Sequence, residues 1–344
     1  MKRIVLSDLR KFSIINAPVP EVSGDFDVQI KISSVGICGS DIHYFRTGRI
    51  GDQVISYPFT PGHECTGIVV KTGAKVSQIH PGDRIVIEPA ISCGTCDQCL
   101  AARPHTCRQL KFLGNPSEME GALQEYIVLP EKSCFKLPGN VSLTDGIIVE
   151  PLTIALYAAG FNCGRKDLAI LGFGPIGICT FKALKWQYPD ANMFVTDKIA
   201  ARVDHANMLG AHWSGNPLEA DIAGEMLKSN PSGMDTVIEC CGQQEAITQA
   251  VELLRPGGQL IVIGIPEEDA MVFNAHQIRR KEIMIHNVRR QNNQYPHALD
   301  LLGSRQIDFG GFISHTFQPG QIQEAFELVE AYHDGVIKAV IEFE

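Results

Sequence analysis

The run Asp167-Leu168-Ala169-Ile170-Leu171, continued by Gly172-Phe173-Gly174-Pro175-Ile176-Gly177, sets the architecture of this chain. Its first five residues suit a short buried strand, the next six spell G-x-G-x-x-G, and the residues through Trp186 have the character of a helix. A second short strand, Met193-Phe194-Val195-Thr196, ends in Asp197. Three spaced glycines alone are weak evidence, because such patterns are more often ordinary turns. Here a strand precedes them, a helix follows and an acid closes the next strand, which is the context a dinucleotide site requires. The glycines let the backbone approach a pyrophosphate at the helix N-terminus, where unpaired N–H groups favour an anion. Asp197 can accept hydrogen bonds from ribose hydroxyls and would repel a 2′-phosphate, so NAD is expected over NADP. Arg202, one turn later, can pack on an adenine or pair a phosphate.

Further strands follow at crossover spacing. They are Thr236-Val237-Ile238-Glu239, then Gln259 to Gly264 after a Pro256-Gly257-Gly258 turn, then Ile283-Met284-Ile285. Strands alternating with helical segments predict a doubly wound parallel sheet. Residues before about 150 differ: short β-type runs are separated by Pro61-Gly62, Pro81-Gly82 and Pro138-Gly139, which predicts a β-rich, barrel-like lobe. There is no internal repeat and no low-complexity segment.

A chain of 344 residues is long enough for two domains. A net charge of -9 argues against nucleic-acid or anionic-membrane partners, both of which need a basic face. The most apolar stretch, Leu168 to Trp186, carries four glycines or prolines and two lysines, so it reads as strand and helix rather than a membrane span. Met1 to Asp8 has no apolar core of a secretory signal. Eleven cysteines in such a chain suggest metal ligands and buried thiols in a reducing compartment, with the cytoplasm as the expected address.

Two cysteine sets carry the metal chemistry. Cys38 stands in Gly36-Ile37-Cys38-Gly39-Ser40-Asp41-Ile42-His43, and Pro61-Gly62-His63-Glu64 follows. Thiolate, imidazole and carboxylate are ligand types that Zn²⁺ accepts, and three protein ligands with an open position make a catalytic site. On spacing alone a buried free cysteine beside an unrelated surface His–Glu pair would be the better reading, and the case for a metal rests on the surrounding motifs. Cys93, Cys96, Cys99 and Cys107 follow a C-x₂-C-x₂-C-x₇-C pattern, able to close a tetrahedron around a structural zinc. An iron–sulfur cluster and redox disulfides are the alternatives. The remaining cysteines, Cys65, Cys134, Cys163, Cys179, Cys240 and Cys241, read as buried small hydrophobes.

With two zinc sets ahead of a nucleotide fold, the chain resembles zinc-dependent medium-chain dehydrogenases, and within them it is most similar to sorbitol (polyol) and xylitol dehydrogenases. The carrying residues are Gly36 to His43 with Tyr44, Gly48-Arg49-Ile50-Gly51-Asp52, Pro61 to Glu64, and Val149-Glu150-Pro151-Leu152. The resemblance implies an α/β protein with a GroES-like catalytic domain over 1–150 and 290–344, a Rossmann NAD-binding domain over 151–289, and an active-site cleft between them. It implies one catalytic and one structural zinc. Cys38, His63 and either Glu64 or Glu150 would hold the catalytic ion, and the other carboxylate would contact water or substrate. Asp41 would orient His63. Ser40 would take the substrate hydroxyl's proton and pass it toward His43, although His43 also suits a plain hydrogen-bonded residue at the lobe edge. Tyr44, Phe112 and Arg290 would contact substrate, although aromatics in a β-lobe are commonly core. Gly172, Gly174, Pro175, Ile176, Gly177, Asp197, Arg202, Ile263, Gly264, Ile265, Asn287, Val288 and Arg289 would serve the cofactor. A homo-oligomer, tetramer or dimer, is a further family expectation.

The reaction so implied is reversible NAD-dependent oxidation of a secondary alcohol on a polyol or sugar derivative. One departure bears on substrate: Arg289 stands where the family has Phe, and Gln291 where it has Tyr. A second guanidinium can be solvated, touch cofactor phosphates, or favour an anionic substrate such as a sugar acid or polyol phosphate. A threonine-type or simple secondary-alcohol dehydrogenase is the alternative within enzymes. A catalytically idle nucleotide-binding protein is the alternative outside them.

Overall fold

The structure, a computed structural model, describes residues 1–343. The chain divides into two compact units, Met1–Glu150 joined by the segment from Tyr295, and Pro151–Gln294.

The first unit is built on a seven-stranded sheet. Its order is Cys134–Lys136, Arg84–Ile87, Glu64–Thr72, Asp27–Gly36, Lys338–Glu342 and Ile313–Phe317, with Tyr126–Pro130 also paired to Asp27–Gly36. All pairs are antiparallel except the last two strands of that order, which run parallel. The long strand Asp27–Gly36 carries alternating Val28, Ile30 and Ile32 into the core, where they are at most 1 % exposed, as expected of a strand with one buried face. Its register decides the site: Val35 pairs with Cys65 and Gly36 with Glu64 on one side, and Gly36 pairs with Val340 on the other. Two segments from opposite ends of the chain therefore meet at Gly36. The helix Gly39–Thr47 begins just beyond the strand end, with Cys38 as its N-cap residue.

The second unit is a six-stranded, wholly parallel sheet. Its order is Trp213–Gly215, Asn192–Thr196, Asp167–Leu171, Met234–Glu239, Leu254–Val262 and Met284–Asn287. Numbered along the chain this is 3-2-1-4-5-6, the doubly wound order of dinucleotide-binding folds. Met234–Glu239 is buried along its whole length, as a central strand covered on both faces must be. The strand Asp167–Leu171 and the helix Pro175–Gln187 fall where the glycine run places them. One detail differs. Pro256-Gly257-Gly258 does not precede its strand but lies inside Leu254–Val262, as an irregularity between the pairs Met234–Leu254 and Thr236–Gln259 in which Pro256 and Gly257 are exposed. Extra residues absorbed as a bulge keep both flanks paired. Among the described residues no helix is long and apolar enough to cross a membrane.

Candidate functional site

Donor atoms of Cys38, His63 and Glu64 all lie within 4.8 Å of one another. Three pieces of local structure bring them together. Cys38 caps the helix Gly39–Thr47, His63 is the residue before the strand Glu64–Thr72, and Glu64 opens that strand. Asp41 ties the first two: its Oδ2 accepts the Cys38 N–H at 3.0 Å and its Oδ1 accepts the Gly62 N–H at 3.0 Å. The same carboxylate faces His63 Nδ1 at 3.8 Å. Asp41 thus fixes the two ligand-bearing loops before it orients the imidazole.

Lys338 is the cation of this site. Its ammonium pairs with Glu64 Oε2 and donates to the Ile37 carbonyl at 3.0 Å. A Cβ on Gly36 would sit 2.4 Å from Glu64 Oε2 and 3.0 Å from Lys338 Cε, so only glycine at this position leaves room for the pair. Burial pulls the Lys338 amine down, but Glu64 and then Cys38 outweigh it and hold the amine above its ordinary value. Burial, followed by the Glu64 carboxylate, pushes the Cys38 thiol far up, with Lys338 opposing them and Asp41 and Glu150 adding to the rise. Burial also raises Asp41, against the pull of His63 and of the two backbone donors.

Glu150 is buried near this set, close enough for its charge to act on Cys38 and Lys338, but is not among the three mutually grouped donors. Thiol, imidazole and carboxylates thus converge in a water-poor region with one lysine to balance several potential anions. That donor set fits a divalent, thiolate-accepting ion such as zinc.

The four-cysteine set is equally specific. Cys93, Cys96, Cys99 and Cys107 Sγ atoms lie within 4.8 Å of one another, with Cys96–Cys99 at 3.6 Å, Cys96–Cys107 at 3.8 Å and Cys93–Cys99 at 3.9 Å. A zinc tetrahedron with Zn–S of about 2.3 Å has sulfur–sulfur edges of about 3.8 Å, whereas a disulfide needs about 2.05 Å. All four thiols are free. Backbone N–H groups of Thr95 and Cys96 point at Cys93 Sγ and pull this thiol down to about 6, ready for a metal at neutral pH.

The other expected residues fall as follows. Ser40 and His43 are half-buried on the helix that Cys38 caps. Phe112 is buried with its ring 5.2 Å from that of His63. Tyr44 is buried in the β-rich core, stacks edge-on with Phe59 and donates its hydroxyl to Asn115 Oδ1 at 2.9 Å. Asn115 in turn donates to Glu118.

In the second unit the expected cofactor residues gather at the carboxyl ends of the parallel strands. Gly172 to Gly177 follow Asp167–Leu171, Asp197 follows Asn192–Thr196, Ile263-Gly264-Ile265 follow Leu254–Val262, and Asn287-Val288-Arg289 end and follow Met284–Asn287. Gly172 has φ +95°, and a Cβ on Gly177 would lie 2.1 Å from the Gly172 carbonyl. The cradle therefore exists only with glycines. Asp197 accepts N–H bonds from Phe173 at 2.7 Å and Ile199 at 2.8 Å, and Arg202 Nη1 lies 3.7 Å from Asp197 Oδ2. Arg202 also sits over the cradle, 3.3 Å from where a Gly174 Cβ would be. Arg289 is exposed, and Arg290 is half-buried with φ +56°.

Two family models match the chain: the alcohol dehydrogenase GroES-like domain over residues 24–139 and the zinc-binding dehydrogenase domain over residues 175–304. Sorbitol dehydrogenase of Bacillus subtilis (strain 168) is 32 % identical over 99 % of this chain and 97 % of its own length. The chain belongs to the zinc-dependent medium-chain dehydrogenases. It lies in their sorbitol dehydrogenase branch and is an NAD- and zinc-dependent oxidoreductase. L-idonate 5-dehydrogenase of Vitis vinifera is 34 % identical over 88 % of this chain and 85 % of its own length. Among solved structures, the rspB alcohol dehydrogenase of Escherichia coli CFT073, complexed with NADH, has a TM-score of 0.90 and 30 % identity, covering 100 % and 99 % of the two chains.

Sequence reasoning passed over four residues that the dehydrogenase fold makes prominent: Lys338, Asn115, Glu118 and Glu239. Lys338 carried one usable signal, a charged residue opening the apolar run Ala339-Val340-Ile341. Glu239 carried a similar one, an acid closing an apolar strand. The expectation that six cysteines are buried needs correction. Cys65, Cys134, Cys179 and Cys240 are buried, but Cys163 and Cys241 are exposed, because both lie in turns beyond the ends of regular elements rather than in the core.

Proposed function

We propose that this dehydrogenase oxidises a secondary alcohol of a polyol or related sugar derivative to the ketone, reversibly, with NAD as hydride acceptor. The observation that carries the reading is the buried convergence of Cys38, His63 and Glu64, in a chain whose relatives include sorbitol dehydrogenases from several organisms. A bound zinc ion supplies Lewis acidity toward the alcohol oxygen, and NAD supplies the hydride acceptor.

The chain's own residues do the rest. Cys38, His63 and Glu64 hold the catalytic zinc, with Glu150 as the neighbouring carboxylate that accepts a hydrogen bond from substrate or water. Asp41 holds His63 in orientation. Ser40 takes the hydroxyl proton and hands it toward His43 on the same helix. Phe112 walls the substrate beside His63, Tyr44 supports that wall through Asn115, and Arg290 contacts substrate hydroxyls. The glycine cradle with Pro175 and Ile176 receives the pyrophosphate, Asp197 and Arg202 the adenosine, and Ile263 to Ile265 with Asn287, Val288 and Arg289 the remainder of the cofactor. Cys93, Cys96, Cys99 and Cys107 hold a structural zinc that staples their loop.

Arg289 favours a second reading within the same chemistry, an anionic sugar acid or polyol phosphate as substrate. It is exposed next to Arg290, and paired guanidiniums recognise carboxylate or phosphate. The protein acts in the cytoplasm as a homo-oligomer, tetramer or dimer. Support for self-association comes from Met284–Asn287, the outer strand of its sheet, where Met284 is 48 % and Ile285 36 % exposed. An open apolar edge invites pairing with a second copy.

Cys38→Ser and His63→Ala test the reading. Both are expected to abolish alcohol-dependent NADH formation while NADH binding and folding survive. Turnover retained by either variant would overturn it.

A further inference from the structure

Glu239 ends the strand Met234–Glu239 at the centre of the parallel sheet, and none of its surface reaches solvent. Its Oε1 accepts two backbone N–H bonds, from Cys241 at 2.6 Å and Gly242 at 2.5 Å. Its main-chain carbonyl accepts two more, from Ile263 at 2.9 Å and Gly264 at 3.1 Å. One residue thus grips two turns at adjacent strand ends, 240–242 and 263–265. They press against each other around its carboxyl: a Cβ on Gly264 would meet the Gly242 nitrogen at 2.3 Å, Glu239 Oε2 at 2.5 Å and the Cys241 nitrogen at 2.9 Å. A Cβ on Gly242 would lie 2.0 Å from the Ile265 carbonyl.

The position of these turns says which part of the cofactor they serve. A doubly wound sheet consists of two mononucleotide-binding halves. The glycine cradle and Asp197 belong to the half formed by the first three strands, which takes the adenosine and the pyrophosphate. Glu239 and Gly264 belong to the other half, formed by the fourth, fifth and sixth strands, which takes the nicotinamide nucleoside.

We propose that Glu239 is a positioning residue for the nicotinamide half of NAD, locking the 240–242 and 263–265 turns into the shape that receives it. It acts through the backbone and touches no cofactor atom itself. Oε2 has no hydrogen-bond partner among the described residues, and an unpaired buried oxygen costs more as part of a carboxylate than as part of a neutral group. Burial likewise pushes the carboxyl up, against the pull of the turn's donors. A glutamine side chain offers the same acceptor oxygen without charge, whereas alanine leaves the Cys241 and Gly242 N–H groups without their acceptor.

The inference rests on the NAD assignment, and the experiment separates the two. NADH and AMP affinities are measured by calorimetry for the zinc-loaded wild type, Glu239→Gln and Glu239→Ala. The expected result is that Glu239→Gln binds NADH within about twofold of wild type. Glu239→Ala is expected to lose about tenfold or more, and AMP affinity to stay unchanged throughout. A general loss of structure would lower AMP and NADH affinity together, and that outcome overturns the proposal. So does undiminished NADH binding by Glu239→Ala, or a Glu239→Gln enzyme as impaired as the alanine variant. Failure of the wild type to bind NADH would overturn the cofactor assignment and this proposal with it, a pattern distinct from selective loss in one variant. If Glu239→Ala does not fold, Glu239→Asp replaces it, since it keeps the acid but withdraws it by one methylene, and the same NADH-selective loss is expected.

Discussion

Lys338 and Glu64, separated by most of the chain, form an ion pair in which the side chains are 1 % and 3 % exposed. Glu64 is itself one of the Cys38–His63–Glu64 donors, so the lysine offsets negative charge at a metal site. Removing one member of a buried pair leaves the other uncompensated. Lys338→Met should therefore destabilise the metal-free protein by about 3–5 kcal/mol, read from denaturant unfolding. A Lys338→Met, Glu64→Gln double variant should recover most of that loss. A single variant as stable as wild type would show that the pair carries no such weight.

Asp41 holds the Cys38 and His63 loops through one carboxylate. Asp41→Asn replaces an acceptor oxygen with an NH₂ that faces a backbone N–H. Affinity at the catalytic zinc site should fall about 10–100-fold, measured by competition with a chromogenic chelator. Zinc at the four-cysteine site should remain.

The four-cysteine loop is a separate staple. Cys96→Ser should leave one zinc per chain instead of two by elemental analysis, and lower the unfolding midpoint through loss of roughly 3 kcal/mol or more. Two zinc ions retained by this variant would remove the assignment of the ladder as a closed tetrahedral site.

Glu239 supplies a pH signature. Its folded value is raised above the ordinary 4.5. Below that value both folded and unfolded chains hold the proton. Above it the unfolded chain releases the proton while the folded one retains it, so stability is lost as pH rises until the raised folded value is passed. Glu239→Gln has no proton to lose. Its stability relative to wild type should therefore grow as pH increases above 4.5, in paired melting curves. A difference that does not change with pH would mean the carboxyl is ionised in the fold.

Much of this protein was legible before its structure. The strand–glycine–helix–acid run from Asp167 to Asp197 is local, and its chemistry is written in consecutive residues. The same holds for the cysteine ladder, where the close spacing of four thiols limits what they can surround. Lys338 was not legible, because only sheet register brings the last strand beside Gly36 and Glu64. Asp41 was expected to serve His63, yet its shorter contacts are to two backbone N–H groups, which no side-chain motif reveals. Cys163 and Cys241 looked like core thiols because composition does not say which cysteine falls in a turn. Pro256-Gly257-Gly258 looked like a terminator, but the neighbouring strand's register accommodated it as a bulge.

Cofactor choice has its own test. Asp197→Ser removes the acid at the end of the second strand, along with the acceptor of the Phe173 N–H. NAD affinity should fall about tenfold while discrimination against NADP narrows, seen by titrating both cofactors. Unchanged NAD preference would place the selectivity elsewhere.

The most direct measurement is NADH formation by the zinc-loaded enzyme against neutral polyols, sugar acids, polyol phosphates, threonine and simple secondary alcohols, repeated with NADP. Turnover with NAD on a polyol or sugar derivative, strongly preferred over threonine and simple alcohols, is the expected result. Anionic members would lead if Arg289 reads substrate. Activity confined to threonine or simple alcohols, or no activity on any of them with zinc and NAD both bound, would contradict it.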